Sequence, residues 1–145
     1  MIGTRLRLRQ AIETNPKRGV VEYKLTQKIP DPAGRPGLIT TVYLSEAEYQ
    51  VLTVLPARIL RKVRHSIPPF GVDAFEGVLL GLYLAEAEFT TDQESAEFSP
   101  PVFAVAEVTG DRRFTGGYLV TADREDVNSA VAECGLRFPL SREAT

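Results

Sequence analysis

The chain has 145 residues, 43% of them hydrophobic and 25% charged, with a formal net charge of −2. That length suits a single domain, 1–145, with a real core and excludes wholesale disorder, and apolar runs no longer than stretches such as Val78-Leu79-Leu80 exclude a transmembrane helix. Residues 1–70 carry 12 Lys/Arg against 5 Asp/Glu, whereas residues 71–145 carry 5 against 14, so the two halves are either opposite surfaces of one domain or a basic half for an anion and an acidic half for cations.

Alternation with period 2, the mark of a strand with two different faces, runs through most of the chain. Arg5, Arg7 and Arg9 alternate with Leu6 and Leu8. A turn at 14–19 leads into 20–29, where Glu22, Lys24, Thr26 and Lys28 share one face and Val21, Tyr23 and Leu25 the other. After a Pro/Gly loop at 30–37, the β-branched and aromatic run 38–44 reads as a third strand. Ser45 and Glu48 form a capping box for a helix that runs to about Leu55, with Tyr49, Leu52 and Leu55 as its apolar stripe and Pro56 beyond its end. In 59–67, Lys62 and Arg64 fall on one face, Arg61 and His65 on the other. Residues 72–78 place Asp73, Phe75 and Gly77 together. In 82–89, Glu86 and Glu88 oppose Tyr83, Ala85, Ala87 and Phe89, and 102–109 reads as a further strand carrying Glu107. Thr91-Asp92-Gln93-Glu94 starts a short helix, and 123–134 forms another, with Asp123 as N-cap and Gly135 at its end. Gly71, Gly81 and Gly110-Asp111 read as short links between antiparallel neighbours.

The expected fold is therefore α+β, mainly antiparallel β, with about seven strands and two or three short helices. Two arrangements fit: a closed or nearly closed sheet with a polar lumen, or an open sheet with its charged face in water.

The polar faces carry clustered cations on some strands and paired carboxylates on another. Arg5, Arg7, Lys24, Lys28, Lys62 and Arg64 suit phosphate oxygens, because the arginine fork pairs with them in plane and lysine supplies a point charge. Glu86 and Glu88 suit Mg²⁺ or Mn²⁺, which prefer hard oxygen donors and also touch substrate phosphates. Each feature has a plainer reading: Glu-x-Glu as a solvated strand face, and Arg-x-Arg-x-Arg as an edge that resists aggregation. His65 lies on the face away from Lys62 and Arg64 and reads as a surface or packing residue, and Cys134 as a helix-end residue. One histidine and one cysteine cannot make a disulfide or an N/S zinc site. The chain has no Gly-x-x-x-x-Gly-Lys loop and no basic patch interleaved with aromatics, which argues against nucleic acid as partner. Met1-Ile2-Gly3-Thr4-Arg5-Leu6-Arg7 lacks the apolar stretch of a secretory signal, so a cytoplasmic protein that does not engage membranes is expected.

The run Val72-Asp73-Ala74-Phe75-Glu76-Gly77, with Gly81-Leu82, Ala85-Glu86 and Glu88-Phe89, resembles the CYTH domain, also called the triphosphate tunnel metalloenzymes. Glu107-Val108-Thr109-Gly110-Asp111 with Arg113-Phe114 is similar to that family's Glu-Val-Thr-x-Asp segment, Lys62-Val63-Arg64 to its Lys-x-Arg strand, and Leu6-Arg7-Leu8-Arg9 or Arg5-Leu6-Arg7 to its Arg-x-Arg strand. The resemblance spans roughly residues 4–120. It implies an antiparallel tunnel, complete or partly open, with tunnel strands over 4–110 and a C-terminal helix over 123–134. It also implies metal-dependent hydrolysis of a triphosphate-containing small molecule: inorganic triphosphate, thiamine triphosphate or a nucleoside triphosphate. Adenylate cyclase-like chemistry and non-catalytic phosphate binding are the alternatives. Carried over, Arg5, Arg7, Lys24, Lys28, Lys62 and Arg64 bind the phosphates; Glu86, Glu88 and Asp73 hold Mg²⁺ or Mn²⁺; and Glu86, Glu88 and Glu107 form the catalytic set. The family's Glu-x-Glu-x-Lys strand is not found ahead of Arg5, and the strand 38–44 lacks the usual Arg and Glu. The first departure predicts an exposed edge at strand 4–12, and with it either an open cleft or a homodimer that covers the gap.

Overall fold

Alternating side chains suit paired extended backbone, and the computed structural model pairs them in two separate three-stranded antiparallel sheets. It describes residues 6–13, 19–29 and 37–137, so Arg5 and most of the turn at 14–19 and of the loop at 30–37 lie outside the described residues. The chain divides into two units, residues 1–57 and 58–145. No helix among the described residues is long and apolar enough to cross a membrane.

The first unit joins β1 (Leu6–Ile12), β2 (Val21–Ile29) and β3 (Leu38–Leu44) in that order. Its register places Leu8, Leu25 and Val42 in one row and Gln10, Tyr23 and Leu44 in the next, on one face. Helix α1 (Glu46–Thr53) contacts all three strands, and the rings of Tyr23 and Tyr49 meet at 4.6 Å. Its start follows the expected capping box: Ser45 N–H donates to Glu48 Oε2 at 2.7 Å, and Glu48 N–H donates to Ser45 Oγ at 3.3 Å. The helix stops at Thr53, short of the expected Leu55, which is exposed rather than part of an apolar stripe.

The second unit joins β4 (Lys62–Ile67), β5 (Phe70–Phe75) and β6 (Tyr83–Ala87). Pro68-Pro69, joined by a cis peptide bond, makes the β4–β5 turn, and Gly71 lies inside β5 rather than linking strands. Short helices follow: α2 (Asp92–Glu97), α3 (Gly116–Leu119) and α4 (Arg124–Glu133). Asp123 caps α4 through Asp126 N–H at 2.9 Å. At the far end the N–H of Gly135 reaches the Ala132 carbonyl at 2.9 Å, and that of Leu136 the Val131 carbonyl at 3.2 Å. This double closure requires the left-handed backbone that Gly135 adopts at φ +74°. Cys134 is the C-cap residue, as the helix-end reading expects.

The core gathers Phe75, Leu79 and Leu82 with Leu119, Ala122, Val127 and Val131. An apolar layer of this kind excludes water from the sheet face it covers, which sets the environment of any polar group beside it.

The α+β, mainly antiparallel character stands, but two expectations change. Six strands, not about seven, occur among the described residues, and they do not form one continuous sheet. The missing one is 102–109. Turns close at its two ends, with Ala104 N–H bonded to the Pro101 carbonyl at 2.9 Å and Asp111 N–H to the Val108 carbonyl at 3.0 Å, and 104–108 between them takes no regular structure. Alternation without a partner ladder does not make a strand. The second change concerns 72–78, which leaves the sheet after Phe75 and turns through a 3₁₀ segment at Gly77–Leu79.

Candidate functional site

In the second unit the register puts Phe75 opposite Lys62, Asp73 opposite Arg64 and Leu84, and Gly71 opposite Ser66 and Glu86. These residues share one face of the sheet, and that face grades along the strands. Phe75 is buried in the core at one end, and Glu86 is exposed at the other. Asp73 lies one step in from Phe75 and is only 1% exposed.

A buried carboxylate needs partners, and Asp73 has three donors. Arg64 Nε donates to its Oδ1 and Arg64 Nη2 to its Oδ2, both at 2.7 Å, and Lys62 Nζ donates to Oδ2 as well. Arg64 Nη2 also donates to Glu86 Oε2. Burial alone would raise the Asp73 pKa, but the hydrogen bonds from Arg64 and Lys62 outweigh it and hold the carboxyl below the ordinary range. The hydrogen bonds from Arg64 to Asp73, and then to Glu86, strengthen the hold of that guanidinium on its proton. Lys62 and Arg64 keep 34% and 41% of their side chains exposed, and Glu86 keeps 56%. The result is two cations fixed from below by one buried anion and open to solvent above.

Gly71 makes the span from β4 to β6 feasible. A Cβ built there would stand 3.2 Å from Arg64 Nη1 and 3.3 Å from its Cδ and Cζ, so the guanidinium crosses β5 over the bare glycine backbone. Gly71 is therefore a crossing point and not a link between strands, and no local sequence signal marks a glycine that makes room for a neighbour's side chain.

In the first unit, Arg7 aligns with Thr26 and Thr41, Arg9 with Lys24 and Tyr43, and Lys28 with Ile39, all on the face away from Tyr23 and Leu25. Lys24 pairs with Glu22 at 2.8 Å and lies 4.8 Å from the centroid of the Tyr43 ring. The hydrogen bond to Glu22 raises its pKa. Arg9, in the other candidate Arg-x-Arg pair, stands directly across from Lys24. Cross-strand like charges repel, and a bound anion would relieve them.

His65 falls with Val72 and Ala85 on the opposite face from Arg64, as the alternation predicts. Glu88 lies just past the end of β6. Glu107 sits in a loop, exposed, and folds back on Thr109, whose N–H donates to it at 3.1 Å and whose hydroxyl also donates. Those two bonds lower its pKa. No hydrogen bond or ion pair among the described residues joins Glu107 to Glu86. Asp111 and Arg113, part of the same motif, instead brace the fold: Asp111 accepts from Arg113 N–H at 2.9 Å, and Arg113 reaches Glu133 of α4 at 2.8 Å.

The donor set for a divalent cation divides. Asp73 does not fit, because both of its oxygens are engaged by Lys62 and Arg64 and it is shut off from solvent. Glu86 and Glu88 do fit in chemistry, as exposed hard-oxygen donors two positions apart. Among the described residues, no three His, Cys, Asp or Glu side chains stand together as a ready metal cage. Comparison of the chain with protein-family models, with curated proteins and with solved structures gave no match.

Proposed function

We propose that this chain binds a triphosphate-containing small molecule through Lys62 and Arg64 and hydrolyses it with the aid of Mg²⁺ or Mn²⁺ held by Glu86 and Glu88. The observation that carries the reading is the pair of half-exposed cations held side by side by the buried Asp73. A phosphate chain meets them without the cost of ordering two long side chains first. Arg64 presents a planar fork and Lys62 a point charge, and both offset charge on phosphate oxygens. Glu88 orients the attacking water in this reading. When bound, the divalent cation supplies further neutralisation of phosphate charge. Asp73 acts as the counter-ion that positions the clamp. Arg7, Lys24 and Lys28 of the first unit offer cations of the same chemistry. The fold part of the proposal, a CYTH-like tunnel or partly open barrel, rests on the sequence resemblance.

A second reading, a phosphate-binding module without turnover, is favoured by one observation. The carboxylates nearest the clamp, Asp73 and Glu86, are already paired with its cations. Phosphate release from inorganic triphosphate with Mg²⁺ or Mn²⁺, alongside calorimetric binding, separates the two. Arg64→Ala is expected to weaken binding by roughly tenfold or more, the scale of a charge-assisted hydrogen bond. His65→Ala, on the other face, is expected to leave binding unchanged. Glu88→Gln is expected to lower metal-dependent turnover at an unaltered fold. Binding without phosphate release selects the second reading. Equal losses from Arg64→Ala and His65→Ala overturn the face assignment on which both rest.

A further inference from the structure

Arg64 divides its donors between two carboxylates of unlike character. Asp73 is buried and takes Nε and Nη2 toward the core end of the sheet face, whereas Glu86 is exposed and takes Nη2 toward its solvent end. Asp73 therefore holds the guanidinium in place, and Glu86 covers the edge that an incoming anion would use. Gly71 brings the two into register, because Arg64 can reach β6 only by lying across that position.

We infer that Glu86 is an internal competitor for the anion at Arg64: the ligand's phosphate enters by displacing the Glu86 carboxylate, while Asp73 keeps the arginine where it is. This rests on the triphosphate-binding reading and adds to it a specificity device. An exposed ion pair is weak, so a single phosphate or a carboxylate gains little by replacing Glu86, whereas a polyphosphate that engages Lys62 at the same time gains a second contact. Displacing Glu86 costs every ligand at Arg64 the same, so only one with the second contact at Lys62 retains appreciable affinity. A cation captured by Glu86 would free Arg64 and act in the same direction as the ligand.

The test is calorimetric binding of inorganic triphosphate and of inorganic phosphate to the 145-residue chain without divalent metal. Three variants are compared with the parent: Glu86→Gln, Arg64→Ala, and Glu125→Gln as the same charge change on α4. Glu86→Gln is expected to bind triphosphate roughly three- to tenfold more tightly, the scale of one lost exposed ion pair plus one removed repulsion. Inorganic phosphate should tighten by no more than triphosphate does, because the repulsion removed acts more strongly on the more highly charged ligand. Glu125→Gln should shift affinity by less than about twofold, since screening weakens distant charges. If the parent binds triphosphate and Arg64→Ala loses it, but Glu86→Gln gains nothing, the competitor role is wrong and the binding reading survives. Equal gains from Glu86→Gln and Glu125→Gln also overturn it, because the effect is then net charge alone. If neither the parent nor Glu86→Gln binds triphosphate, the binding reading fails and the inference with it.

Discussion

Replacing Asp73 by Asn tests the centre of the site most directly. The substitution keeps shape and removes one charge from a residue that is 1% exposed. Three donors lose their anion: Arg64 Nε, Arg64 Nη2 and Lys62 Nζ. Asn offers one oxygen, and its NH₂ group then faces a cation as a donor facing a donor. Removing one partner of a fully buried pair costs about 3–5 kcal/mol. Here Lys62 and Arg64 remain about a third or more exposed, and water solvates them once they are released, so about 2–4 kcal/mol is expected. That corresponds to a fall in Tm of roughly 5–15 °C for a chain of this size. Urea unfolding at neutral pH measures it. A second prediction separates charge from packing. The folded chain holds the Asp73 carboxyl below its ordinary value, so it takes up that proton less readily than the unfolded chain does. The resulting stability is fully present above the unfolded pKa of about 3.9 and is lost as pH falls through the lower folded value. The parent and Asp73→Asn should therefore differ most near pH 7 and converge as the medium becomes strongly acidic. Equal stability at pH 7, or a gap that does not narrow in acid, would refute the assignment of Asp73 as the counter-ion of Lys62 and Arg64.

Two further outcomes follow from local geometry. Gly71→Ala should cost about 0.5–1.5 kcal/mol more in the parent than in an Arg64→Ala background, because the three heavy atoms nearest the new Cβ all belong to Arg64. In that background the substitution should be neutral or mildly stabilising, since alanine loses less chain entropy than glycine on folding; additive effects in a denaturation cycle would dismiss the crossing of Arg64 over Gly71. Asp123→Ala should destabilise the chain by about 1 kcal/mol through loss of the cap on Asp126 N–H, and thermal unfolding indistinguishable from the parent would show that the cap does not stabilise α4.

Much of the secondary structure was legible because its signals are local. The run 38–44 became β3 with the expected bounds, since β-branched and aromatic residues suit a pleated strand. Ser45-x-x-Glu48 and Asp123 marked helix starts, because a cap needs only residues three apart. Period 2 placed Lys62 and Arg64 on one face and His65 on the other, and it collected Lys24 and Lys28 on another polar face. The residues that meet at the site were thus largely readable as candidates. Their relationships were not. Alternation shows that a strand has two faces but not which one is covered. Leu79, Leu119, Val127 and Val131, distant in sequence, bury the Phe75 end of the face that also carries Lys62 and Arg64. That burial makes Asp73 a counter-ion instead of a metal ligand. It also explains why the apolar alternate face, with Tyr83 67% exposed, is not the core. The run 102–109 alternates as well as any strand but has no ladder partner among the described residues, and turns close at its two ends. Composition and local pattern determined most of the strands, the caps and the clustering of charge. Tertiary packing alone decided which carboxylate is buried, which arginine it holds, and that a glycine lets the arginine across, because each of these depends on desolvation and close approach between residues far apart in the chain.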